Sequence, residues 1–125
     1  TLYIFGDNLQ KRGFGGQAII RANENAMGIP TKKRPSMRQD AFFTDAELES
    51  NVIAIDAAID QIQRRLDNDK NIKRVVFPTG GLGTGLAQLA KKAPLTAAKL
   101  DQRIAQFAET IQTGSAKRLT FSVLK

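Results

Sequence analysis

Leu2-Tyr-Ile-Phe-Gly-Asp-Asn-Leu-Gln-Lys-Arg-Gly-Phe-Gly-Gly16 stands at the head of the chain, and its construction decides the fold class. Leu2 to Phe5 are apolar without a break, and Gly6-Asp7-Asn8 after them is a turn signal. Such a run reads as a short strand buried on both faces, the habit of sheets covered by helices. Gly13-Phe-Gly-Gly16 then opens a segment from Gln17 to Asn25. Ala18 and Ala22 lie four apart in it, which predicts a short helix. The same construction recurs later. Arg74-Val-Val-Phe-Pro78 is a second apolar strand, running into Thr79-Gly-Gly-Leu-Gly-Thr-Gly-Leu86, with a short helix from Leu86 to Lys91.

Outward from these two blocks, Met27-Gly-Ile-Pro30 reads as a strand stopped by Pro30. Residues 31–43 read as a long basic loop containing Lys32, Lys33, Arg34 and Arg38. Thr44-Asp-Ala-Glu47 has the form of a capping box, in which the Thr hydroxyl accepts from the N3 amide. Leu48, Val52, Ile55, Ile59, Ile62 and Leu66 come next at helical spacing and mark one apolar stripe, ending near Asn68-Asp69. Pro94 and Thr96 start another helix, with Ala97, Leu100, Ile104, Phe107 and Ile111 inward and Gly114 as its stop. Arg118 to Leu124 alternates and reads as a closing strand. This order of elements implies one α/β domain over residues 1–125, with a mostly parallel central sheet.

Composition excludes much chemistry. The 125 residues contain no Cys and no His. Disulfides, Cys nucleophiles and His-based triads are therefore absent, and zinc, haem and iron–sulfur sites lose their usual ligands. No metal and no cofactor is expected. Acid–base work would fall to Asp, Glu, Lys, Tyr or water. No apolar run is long enough to span a membrane, and Thr1 to Phe5 reads as a strand rather than a signal peptide. Nineteen Lys and Arg against twelve Asp and Glu give a net charge of +7, which favours anionic partners. The basic residues are scattered, so general solubility accounts for the charge equally well.

The two glycine-rich segments carry the functional argument. In open α/β sheets, ligands bind beyond the carboxyl ends of the strands. Glycines let backbone amides approach an anion, and a following helix N-terminus adds unpaired N–H groups. Neither segment is a P-loop, since G-x-x-x-x-G-K-[ST] is missing, and Gly13-Phe-Gly-Gly16 is not a dinucleotide-binding fingerprint.

Asn8-Leu9-x-x-x-Gly13-x-Gly15-Gly16-x-Ala18-Ile19 resembles the first ligand loop of macrodomains. Phe77-Pro78-Thr79-Gly80-Gly81-Leu82-Gly83-Thr84-Gly85-Leu86 resembles their second, in the same order. The resemblance covers about a third of the chain. It implies a three-layer α/β/α sandwich that binds ADP-ribose or a related nucleotide, with hydrolysis of such a ligand as the enzymatic form of the reading. By that resemblance Asn8 matches a ribose-contacting Asn, Gly15 and Gly16 lie under the distal ribose and phosphate, and Gly81, Gly83, Thr84 and Gly85 offer amides to a diphosphate. Asp7 stands where the family has a small residue, and no acidic residue precedes strand one to hold an adenine amine. The compact length suggests the cytoplasm of a bacterial cell or a phage-infected host.

Around these loops the candidate ligand-binding set is Gly6, Asn8, Gly13, Phe14, Gly15, Gly16, Gln17, Thr31, Lys32 and the run Thr79, Gly80, Gly81, Leu82, Gly83, Thr84 and Gly85. Asp7 and Asn8 are the catalytic candidates, as groups that would position water. Each has an equal structural explanation, because Asp-Asn after a strand is a common Asx-turn and capping pair. Phe14 and Phe42 could stack on a base, with core packing favoured for Phe42. Two other functions stay open: a nucleic-acid-binding protein using Lys32, Lys33, Arg34 and Arg38 on phosphates, and a protein-interaction or inhibitor domain whose glycines merely turn the chain.

Overall fold

The computed structural model of the chain describes residues 1–14, 16–36, 38–77, 89–113 and 120–123. Among them, four strands form one sheet: β1 (Leu2–Asn8), β2 (Ala26–Lys32), β3 (Arg74–Phe77) and β4 (Thr120–Val123). Their spatial order is β2-β1-β3-β4, and each pairs in parallel with its neighbours. The α-helices of the described residues are α1 (Leu48–Asn68), α2 (Leu89–Lys92) and α3 (Pro94–Thr113). The α/β class and the parallel sheet agree with the order of elements in the sequence.

The strand order reverses beside β1. From β1 the chain steps outward to β2, then returns past β1 to β3 and on to β4. Right-handed crossovers place the two long helices on one face of such a sheet, and α1 does pack against α3. The main core lies there. Leu2 and Ile4 of β1, Ile29 of β2, and Val75 and Phe77 of β3 meet Ile55, Ile62 and Leu66 of α1 and Leu100, Phe107 and Ile111 of α3. Burying each of these large side chains stabilises the fold by about 1.5–3 kcal/mol. Phe77 and Phe107 meet edge to face, with ring centroids 6.4 Å apart.

The other face is thinner. Phe5 and Val76 are buried but stand outside the main core cluster. The segment between β1 and β2 packs on β1 there, with Arg21 over Phe5, and within it only Gly16–Ile20 is regular among the described residues, as a 3-10 turn. A helix from Gln17 to Asn25 is therefore not formed. After Ile20 the chain turns and enters β2 at Ala26, which leaves no room for a further helical turn. Among the described residues this single turn is all the regular structure that the segment contains.

Other boundaries also move. Gly6, Asp7 and Asn8 belong to β1 rather than to a turn, because pairing with β2 continues to Asn8 opposite Lys32, with an irregularity between Asp7 and Asn8. Pro30 does not stop β2, which runs on through Thr31 and Lys32. Among the described residues β2 pairs in the sheet only with β1, and an edge strand tolerates a residue without an N–H. Thr31 and Lys32 are therefore strand residues, not loop. Short 3-10 turns at Gln39–Ala41 and Asp45–Glu47 organise the chain between β2 and α1. Residues 86–88, Gly114 and the ends of the predicted closing strand lie outside the described residues.

The capping box takes another form. The Thr44 hydroxyl donates to a Glu47 carboxylate oxygen instead of accepting from the backbone, and α1 starts only at Leu48. Asp45 caps a different helix. Its carboxylate accepts from the backbone amides of Leu95 and Thr96 at 3.1 Å each, in the first turn of α3. Buried Asn51 on α1 completes the tie, donating to the Thr96 hydroxyl and to the Thr44 carbonyl. Removing this cap by Asp45→Ala should lower stability by about 1–2 kcal/mol in urea unfolding, with an unchanged m-value.

Candidate functional site

β1 ends in Asp7 and Asn8, both buried. Side chains alternate along a strand, so Asp7 lies on the thin face with Phe5. Gly28 of β2 makes room for it. A Cβ added at Gly28 would fall 2.7 Å from the Asp7 Cβ and 2.8 Å from its Oδ2.

Arg21, which comes directly after the 3-10 turn, meets Asp7 in a two-pronged ion pair. Nη1 donates to Oδ2 at 2.9 Å and Nη2 to Oδ1 at 2.6 Å. The same guanidinium donates from Nε to the Gly13 carbonyl and from Nη2 to the Arg12 carbonyl, and it lies 5.4 Å from the centroid of the Phe5 ring. Asn8 works on the same loop. Its Oδ1 accepts from the Gln10 amide at 3.0 Å, and its Nδ2 donates to the Arg12 carbonyl at 2.7 Å. Asp7 Oδ1 also accepts the Asn8 amide. This is Asx-turn chemistry, and both catalytic candidates are engaged in holding residues 9–13. Arg21 was not legible in the sequence, because nothing in the spacing of Asp7 and Arg21 marks them as partners.

The loop needs Gly13. Its φ is +89°, and an added Cβ would stand 3.0 Å from the Pro35 Cβ. Phe14 beyond it is 60% exposed. Gly6 lies within β1, Gly16 and Gln17 lie in the 3-10 turn, and Gly15 lies outside the described residues. The whole second loop, Thr79 to Gly85, also lies outside them. Its place in the chain is fixed at both ends, between Phe77 at the carboxyl end of β3 and Leu89 at the start of α2.

Thr31 and Lys32 end β2 beside Asn8. Thr31 is buried, and its hydroxyl donates to the Asp7 carbonyl at 3.2 Å. Lys32 is also buried, with Nζ donating to the Ser36 carbonyl at 2.6 Å. Burial holds its ammonium below the ordinary lysine range. Phe42 is buried too and bridges to Lys32 across the backbone. The neighbouring basic residues differ from Lys32: Lys33 pairs with Glu47 and Arg34 with Asp40, while Arg38 is exposed. Among the described residues no cluster of acidic side chains could hold a metal ion, and no helix is long and apolar enough to cross a membrane.

Two measurements check this geometry. Arg21→Ala leaves a buried carboxylate unpaired and should cost about 3–5 kcal/mol in chemical denaturation, and Arg21→Lys should recover only part, lacking the fork. The hydrogen bond from Lys33 holds the Glu47 carboxyl below its usual range. A lowered folded value means that the pair adds stability above the unfolded pKa and loses it as pH falls through the folded one. The effect is small, since the Glu47 side chain is 40% exposed. NMR titration should find Glu47 returning toward an ordinary glutamate value in Lys33→Gln.

No curated protein and no solved structure matches the chain. One family model does, over residues 1–103, which takes in β1 to β3, both glycine-rich segments and the first half of α3. The chain accordingly belongs to DUF7831, a family of unknown function.

Proposed function

We propose that this protein binds an ADP-ribose-like or other phosphate-bearing nucleotide at the carboxyl ends of β1 and β3. One observation carries the reading. The strand order reverses between these two adjacent parallel strands, and each is followed in the sequence by a glycine-rich segment. A reversal of strand order opens a crevice at the carboxyl edge of a sheet, the usual seat of nucleotides in such folds. Glycine-rich segments leaving both sides supply backbone amides for phosphate. The exposed ring of Phe14 offers a stacking surface at the rim.

The resemblance of both loops to those of macrodomains favours ADP-ribose within this class. A macro-like three-layer sandwich belongs to the same proposal, supported by helices on one face of a parallel sheet and the 3-10 segment on the other. The reading is binding rather than turnover. For Asp7 to act as a base, its carboxylate would have to leave Arg21, and with it the hold on residues 9–13.

Titration calorimetry with ADP-ribose, cyclic ADP-ribose isomers and nucleoside diphosphates tests the proposal. A saturable heat with at least one of them is expected, weakened about tenfold or more by Gly83→Val, with a thermal melt checking that the variant folds. No heat with any of them on folded protein overturns it.

A further inference from the structure

Two ammonium groups approach one phenyl ring. Lys32 Nζ lies 4.7 Å and Lys92 Nζ 5.3 Å from the centroid of Phe42. Lys32 closes β2 beside Asn8, and Lys92 closes α2, the first helix after the second glycine-rich segment. Lys32 thus reaches the ring from the carboxyl edge of the sheet, and Lys92 from α2.

Among the described residues neither charge is neutralised. All twelve acidic side chains fall within them. Among the described residues ion pairs engage Arg21, Lys33, Arg34, Arg65 and Arg103, and none engages Lys32 or Lys92. The sequence between Phe77 and Leu89 contains no Asp or Glu. Lys32 is only 6% exposed, yet the Ser36 carbonyl is its one hydrogen-bond acceptor among the described residues, against three N–H groups. A buried charge held by a carbonyl and a ring alone is costly, and a second like charge at the same ring adds repulsion. An anion relieves both at once.

We propose that Lys32 and Lys92, gathered around Phe42, form a seat for a phosphate or diphosphate group. Lysine suits this role as a compact point charge with three donors, and it places no bidentate demand on the anion's orientation. The burial that depresses the Lys32 ammonium is offset when the anion arrives. The seat rests on the nucleotide reading only for the identity of the molecule that carries the phosphate.

The test uses inorganic pyrophosphate at constant ionic strength, followed by calorimetry and by the Cε–Hε NMR signals of the lysines. Saturable binding is expected, with the Lys32 and Lys92 signals moving together. Lys92→Gln should weaken it about tenfold. Lys99→Gln, an exposed lysine on α3, should leave it unchanged. Thermal melts check that both variants fold. No saturable binding, binding that moves neither or only one of the two lysines, or equal losses in Lys92→Gln and Lys99→Gln overturns the seat. Its failure is distinct from failure of the nucleotide reading. ADP-ribose bound equally by wild type and Lys92→Gln removes the seat and leaves that reading standing. Pyrophosphate bound at both lysines, with no heat from any nucleotide, supports the seat and removes the reading.

Discussion

The Arg21 guanidinium does more than neutralise Asp7. A carboxylate on the thin face of the sheet, flanked by Phe5 and Gly28, has little water to solvate it, so its charge requires a fixed partner. The fork supplies one and still has donors left for the carbonyls of Arg12 and Gly13. One side chain thereby joins the centre of the sheet, the 3-10 segment and the first glycine-rich loop. Asn8 reinforces the same loop from the neighbouring position. Without these bonds, residues 9–13 would carry a run of backbone groups with no regular element to satisfy them.

This division of labour explains the asymmetry of the molecule. The face covered by α1 and α3 is held by area: large aliphatic and aromatic side chains in one continuous cluster. Among the described residues the opposite face has a short covering segment, held by directional bonds. Two glycines serve the second arrangement. Gly28 allows the carboxylate to lie against β2, and Gly13 lets the loop turn at positive φ against Pro35. Neither contacts the proposed ligand in order to do so. Glycines in a loop that resembles a phosphate cradle can thus be required by the protein's own packing.

Elements with long, periodic patterns were legible in the sequence. The stripe from Leu48 to Leu66 gave α1, the spacing from Ala97 to Ile111 gave α3, and the apolar runs gave the β1 and β3 cores. Interactions that link distant residues were not. Asp45 reads as a first-turn acid of its own helix, yet it caps α3 fifty residues on. The Asp7–Arg21 pair and the meeting of Lys32 with Lys92 arise only when the sheet brings their segments together. Pro30 misled for a related reason. A proline stops a strand only where its missing N–H faces a partner, and sequence alone does not say which strands are at the edge. Of the candidate site, the first loop follows β1 as the apolar run from Leu2 to Phe5 directed, whereas Lys32, read as part of a basic loop, ends β2.

That edge position has a further consequence. An unpaired strand edge is a template on which other chains can add, the first step of uncontrolled assembly. β2 is protected against this. Pro30 interrupts its row of donors, and the backbone bridge from Lys32 to Phe42 occupies its final position. The opposite margin of the sheet is β4, which among the described residues pairs only with β3. An incoming strand therefore meets a blocked margin at β2.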